Sequence, residues 1–155
     1  SRPGTKLAAV NSIVVHYIGN PGTTAQQNRD YFESLKNQSG SNTTSVSSNF
    51  IIGMDGEIIQ CIPVDEKSFA SNNRNSDTIS IECCHPDENG KFTDATYRSL
   101  VQLTAWLCAK YDLTADQMGD WAACMGIEAV YIDKDTDIRR FRNELKWNEA
   151  YYKFH

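Results

Sequence analysis

Long apolar runs, blocks of like charge and closely paired cysteines are all missing from this chain of 155 residues. No stretch approaches the roughly 18 uninterrupted apolar residues of a membrane-crossing helix, and residues 1–6 lack the apolar core of a secretory signal. The expectation is a soluble protein, cytoplasmic or phage-encoded and released without a signal peptide, that docks on no membrane. The net charge of -5 is spread thinly. Without a basic stripe, there is no electrostatic footprint for duplex nucleic acid or an anionic membrane surface. The five cysteines (Cys61, Cys83, Cys84, Cys108 and Cys124) form no C-x-x-C pattern. Four of them sit inside apolar runs, as buried free thiols of a reducing compartment do.

What is present suits one compact domain over residues 1–155. Its 40% hydrophobic content supports a core, and a chain of this length buries about 70% of its unfolded surface on folding. Ser12 to His16 is a β-branched run stopped by Gly19, Asn20, Pro21 and Gly22, which predicts a buried strand with His16 projecting at its end. Thr24 and Gln27 make a capping-box pattern ahead of the helically spaced Ala25, Tyr31, Phe32 and Leu35. Asn37 to Ser48 lacks periodicity and reads as a flexible polar loop.

The segments Phe50 to Gly53 and Glu57 to Ile62 flank Met54-Asp55-Gly56, whose Asp-Gly pair predicts a tight hairpin. Thr78 to Cys84 alternates so that Ile79 and Ile81 share one face of a strand, with Ser80 and Glu82 on the other. Thr93 caps a long helix whose stripe is Tyr97, Leu100, Val101, Thr104, Leu107, Cys108 and Tyr111. Asp116 to Tyr131 is ambiguous, and Asp135 to Tyr151 has an amphipathic helical pattern. The interleaving of strands and helices predicts an α/β (α+β) class, with a mixed sheet covered by helices.

Three segments carry a resemblance: I-V-V-H-Y-I-G-N-P-G-T-T-A-Q-Q-N (Ile13 to Asn28), F-I-I-G-M-D-G-E-I-I-Q-C-I-P (Phe50 to Pro63) and S-N-N-R-N-S-D-T-I-S-I-E-C-C-H-P (Ser71 to Pro86). Together they resemble the clostridial and phage branch of the type-2 N-acetylmuramoyl-L-alanine amidases. These are peptidoglycan-cutting endolysins related in fold to peptidoglycan recognition proteins, and the resemblance runs from about Val10 to Leu145. It implies a zinc ion held by two histidines and a cysteine or aspartate, with water in the open position. It places the first ligand at His16 and the proton-handling carboxylate at Glu82.

Relatives take the remaining parts from a segment similar to R-H-Y-D-V-T-G-K-x-C-P. Aligned without gaps, this chain reads D-W-A-A-C-M-G-I-E-A-V (Asp120 to Val130). Trp121 then stands for the second histidine, Ile127 for an oxyanion-stabilising lysine and Ala129 for the third ligand. The expected S-S-H-F reads Ser47-Ser48-Asn49-Phe50. Trp and Ala side chains have no lone pair for a metal.

On this reading His16 is vestigial as a ligand, or is a histidine hydrogen-bonded at a cleft floor. Glu82 is vestigial, a general base, or a carboxylate paired with a neighbour such as Arg74. Asn49, Asn72, Asn73, Arg74, Trp121 and Ile127 line a ligand groove, Cys124 and Glu128 are candidates for a rearranged metal site, and His85 and His155 lie at the surface.

Three functions follow. The first is a catalytically degenerate module, needing no cofactor, that binds peptidoglycan fragments or another small polar ligand. The second is an active zinc amidase. The third is a phage or prophage module sequestering a host small molecule such as a nucleotide. Oligomeric state is left open.

Overall fold

The computed structural model describes residues 2–38, 40, 46–70, 75–88 and 90–113. Four strands form one sheet: β1 (Ser12–Tyr17), β2 (Phe50–Ile52), β3 (Ile58–Gln60) and β4 (Thr78–Cys83), in the order β1-β4-β2-β3. β4 runs parallel to both β1 and β2, whereas β3 returns antiparallel to β2. The sheet is therefore mixed, and its parallel centre reads as continuous apolar or small residues because both faces are covered. Every residue of β4 is buried.

Helix α1 (Ala25–Ser34) starts where the sequence predicts, with the reciprocal capping box of Thr24 and Gln27 formed at 2.9 and 3.1 Å. It places Ala25 and Phe32 on the sheet face that carries Ile51, together with Cys84 just beyond β4. Helix α2 (Asp94–Tyr111) is capped by Thr93, whose hydroxyl accepts from the Thr96 N–H at 3.1 Å. Its Leu100, Val101, Leu107 and Cys108 pack on Ile13, Val15, Ile52, Ile79 and Ile81, the opposite face of the sheet. Residues two apart on a strand share a face. The alternation in β1 and β4 thus hands Ile13, Val15, Ile79 and Ile81 to α2, leaving His16, Ser80 and Glu82 on the α1 side.

The hairpin between β2 and β3 turns at Met54-Asp55-Gly56, with Gly56 at φ +87°. A Cβ there would lie 3.0 Å from Ser99 Oγ and 3.1 Å from the Ala95 carbonyl oxygen, so this turn needs glycine for its conformation and for its closeness to α2. Ser99 Oγ donates to the Gly56 carbonyl at 2.7 Å and ties the two together.

The tail of the predicted flexible loop behaves otherwise. Ser47 and Ser48 are buried, and Ser47 Oγ accepts from the Phe69 N–H at 2.9 Å. Small hydroxyl residues serve here as buried hydrogen-bonding groups that lead into β2. The predicted helix over Asp135 to Tyr151 and the segment Asp116 to Tyr131 lie outside the described residues.

Candidate functional site at the carboxyl edge of the parallel strands

In open α/β sheets, ligands sit beyond the carboxyl ends of the parallel strands, where loops diverge to opposite faces. β1 and β4 end side by side, with His16 directly opposite Glu82 in the register. Both side chains project to the α1 face, one strand apart, near the ends of their strands. That juxtaposition joins two motifs which lie 66 positions apart in sequence.

The pair is dry. Glu82 is 9% exposed, and burial pushes its carboxyl up to about 8 from an ordinary 4.5. Burial also lowers the His16 imidazole below its usual range. Both groups are therefore neutral near pH 7, because removing a charge from water costs more than protonating an acid or deprotonating a base. His16 Nε2 is buried without a hydrogen-bond partner. A cavity of about 340 Å3 opens beside this edge, between Thr24 and Gln26 at the start of α1 and Gly53, Asp55 and Glu57 of the hairpin. Neither His16 nor Glu82 lines it.

Two sequence expectations change here. Asn49 does not line a groove: it is 0% exposed. Its amide donates to the Pro63 and Glu66 carbonyls, both at 3.1 Å, and its Oδ1 accepts from the Ser80 N–H at 3.0 Å. It stitches the approach to β2 onto β4, a structural task that needs one acceptor and a donor in a dry place. His85 is not at the surface either, being 1% exposed. Its Nδ1 lies 2.7 Å from the Asp87 carbonyl oxygen, and a carbonyl only accepts, so Nδ1 carries the proton. Its ring tilts against Tyr17 at 5.5 Å between centroids. Tyr17 points away from the His16 side of β1. The apolar run ahead of His85 was the available signal of its burial.

Asn72, Asn73, Arg74, Trp121, Cys124, Ile127, Glu128, Ala129 and His155 lie outside the described residues. A catalytic zinc takes three protein donors and keeps one position for water. The unpartnered Nε2 of His16 suits one of the three. Among the described residues, however, no three His, Cys, Asp or Glu side chains converge. The described residues therefore do not fit zinc.

The family model described as N-acetylmuramoyl-L-alanine amidase matches residues 6–139. This chain belongs to the N-acetylmuramoyl-L-alanine amidase family. The chain is 31% identical over 134 residues to the N-acetylmuramoyl-L-alanine amidase CwlL of Bacillus licheniformis, a match covering 76% of this chain and 35% of CwlL. The chain thus spans about a third of that amidase's length. Its fold is that of a mutant endolysin from Bacillus subtilis, with a TM-score of 0.68 at 23% identity over 93% of this chain and 90% of the other.

A second relationship covers less of this amidase-family chain at higher identity. A stretch of 46 residues, 30% of the chain, is 61% identical to L-arabinose isomerase 1 of Bacillus licheniformis, of which it makes up 9%. So small a share carries none of the isomerase's activity to this chain.

Proposed function

We propose that this chain is a binding module of the amidase fold, which holds peptidoglycan fragments at the carboxyl edge of β1, β4 and β2 without cutting them. The observation that carries the reading is the histidine inventory. The whole sequence contains three: His16, His85 and His155. His85 gives its Nδ1 proton to the Asp87 carbonyl and packs on Tyr17, off the His16 side of the sheet, with its Nε2 also buried without a partner. Among the described residues that leaves one imidazole facing Glu82, against the two histidines and a third ligand that the family resemblance requires.

The isomerase-like stretch supports the same reading. Amidase motifs occupy Ile13 to Pro86, and residues 1–12 are too few to hold 46 residues. We infer that the stretch falls after Pro86, where relatives carry the second histidine, the lysine and the third ligand. On that inference Trp121, Ile127 and Ala129 fall where the amidase family match, which runs to residue 139, overlaps an isomerase-like stretch, so that drift is not the one source of the departure from the amidase motif at Asp120 to Val130.

One observation favours an active zinc amidase instead. His16 Nε2 is buried without a partner, and Glu82 stands opposite in register, which is the half of the machinery that the resemblance predicts. Elemental analysis after zinc loading, combined with calorimetric titration of muropeptides and turbidity assays on cell walls, separates the readings. The binding module gives saturable heat with muropeptides, far less than stoichiometric zinc and no clearing. Stoichiometric zinc with clearing overturns it in favour of the enzyme, and absence of heat at millimolar ligand removes the cell-wall ligand.

A further inference from the structure

A second cavity, of about 300 Å3, lies at the other end of the sheet. Ser47 precedes β2, and Gln60 of β3 pairs with Phe50 at the start of β2, so their side of the sheet is the amino end of the parallel strands. His16 and Glu82 close the carboxyl end, and neither lines this cavity. One wall is a stripe of α1 and the turn after it, Arg29, Phe32, Glu33 and Lys36, at steps of three and four residues that keep one helical face. Gln60, Cys61 and Ile62 face it, with Arg2 at the rim.

The charge of this lining runs against that of the molecule. The chain carries a net charge of -5, yet Arg2, Arg29 and Lys36 meet a single lining carboxylate, Glu33. The three cations are not equally committed. Arg2 is held in two-point contact by Glu66, at 3.2 and 2.6 Å, and Glu66 is buried, so this pair is a fixed wall. Arg29 meets Asp30 through one nitrogen at 3.4 Å, and Lys36 pairs with Glu33, with all four of these side chains largely exposed. Exposed pairs of this kind are worth about 0–1 kcal/mol, so their cations are available to a better anion.

The rest of the lining is apolar or neutral. Phe32 and Ile62 are buried and offer carbon surface. Burial raises the Cys61 thiol to about 11, so it brings no negative charge. Ser47 Oγ already accepts from the Phe69 N–H, which leaves its own proton to give.

We propose that this cavity binds a small organic oxyanion, with a carboxylate or phosphate on Arg29 and Lys36 and an apolar body against Phe32 and Ile62. The proposal does not rest on the function assigned to the His16 and Glu82 edge. Arg29 supplies the planar fork that matches either oxyanion, and Lys36 adds a point charge.

Titrations of the full chain followed by NMR test it, using phenylphosphate, benzoate, inorganic phosphate and benzyl alcohol. The expected result is saturable shifts around Gln60 and Cys61 with phenylphosphate or benzoate, the stronger of the two identifying the oxyanion. Inorganic phosphate binds more weakly and benzyl alcohol not at all. Arg29→Met and Lys36→Met, both exposed and so harmless to folding, each weaken binding about tenfold without moving Tm. Benzyl alcohol binding as well as benzoate, inorganic phosphate matching phenylphosphate, unchanged affinity in Arg29→Met, or no saturable shift with any probe overturns the proposal.

Discussion

Glu82 sits on β4 with its carboxyl held up to about 8 by burial, whereas an unfolded chain releases the same proton near 4.5. Between those values unfolding releases a proton, so stability falls as pH rises through the window and levels off above it. At about 1.4 kcal/mol per unit, the loss by pH 8 is on the order of 4 kcal/mol. Glu82→Gln keeps the shape without the charge. Urea unfolding should show it about as stable as the parent near pH 4.5, and more stable by on the order of 4 kcal/mol at pH 8. A parent whose stability stays flat across that interval contradicts the buried acid.

Asn49 gives the second expectation at the residue scale. Asn49→Ala strips the partners from two carbonyls and one N–H in a dry site and should cost about 3 kcal/mol. Asn49→His, which restores the residue of the family pattern, should cost less, since an imidazole also offers one acceptor and one donor. Thermal unfolding of the two variants checks the order. That position therefore reports on the core rather than on the loss of a site.

At the scale of elements, the first βα unit and the hairpin were legible because their signals are local. Thr24 and Gln27 form their capping box, and the Asp-Gly turn brings β3 back onto β2, because each depends only on residues a few positions away. Thr24→Ala should cost about 1 kcal/mol, read as a shift in the urea midpoint with unchanged slope. Local signals misled at Ser47, Ser48 and Asn49. Ser47 and Ser48 read as the end of a flexible loop and Asn49 as a groove residue, but β4 lies alongside and supplies Ser48 and Asn49 with hydrogen-bond partners 32 and 31 positions away. His85 was misread for a related reason, since its neighbour Pro86 marks a loop while its ring is enclosed by Tyr17.

At the scale of the whole molecule, the amidase family match over residues 6–139 is joined by a stretch of 46 residues that is 61% identical to an L-arabinose isomerase. If that stretch follows Pro86, point restoration of the site should fail. The triple variant Trp121→His, Ile127→Lys and Ala129→Cys is expected to take up no more zinc than the parent, whereas exchanging the entire segment after α2 for that of CwlL should raise the zinc content above the parent's. Elemental analysis of both proteins decides the point, and stoichiometric zinc in the triple variant would show that the segment is a drifted amidase loop after all.

The sequence by itself determined the class of fold, the hairpin and both helix starts, since these follow from periodicity, caps and turn residues. Only the tertiary structure set His16 against Glu82, drew Asn49 and His85 into the interior, and gathered Arg29 and Lys36 around a cavity. Strand register and burial join residues that are distant in the chain, and no local pattern encodes which distant neighbour removes the water.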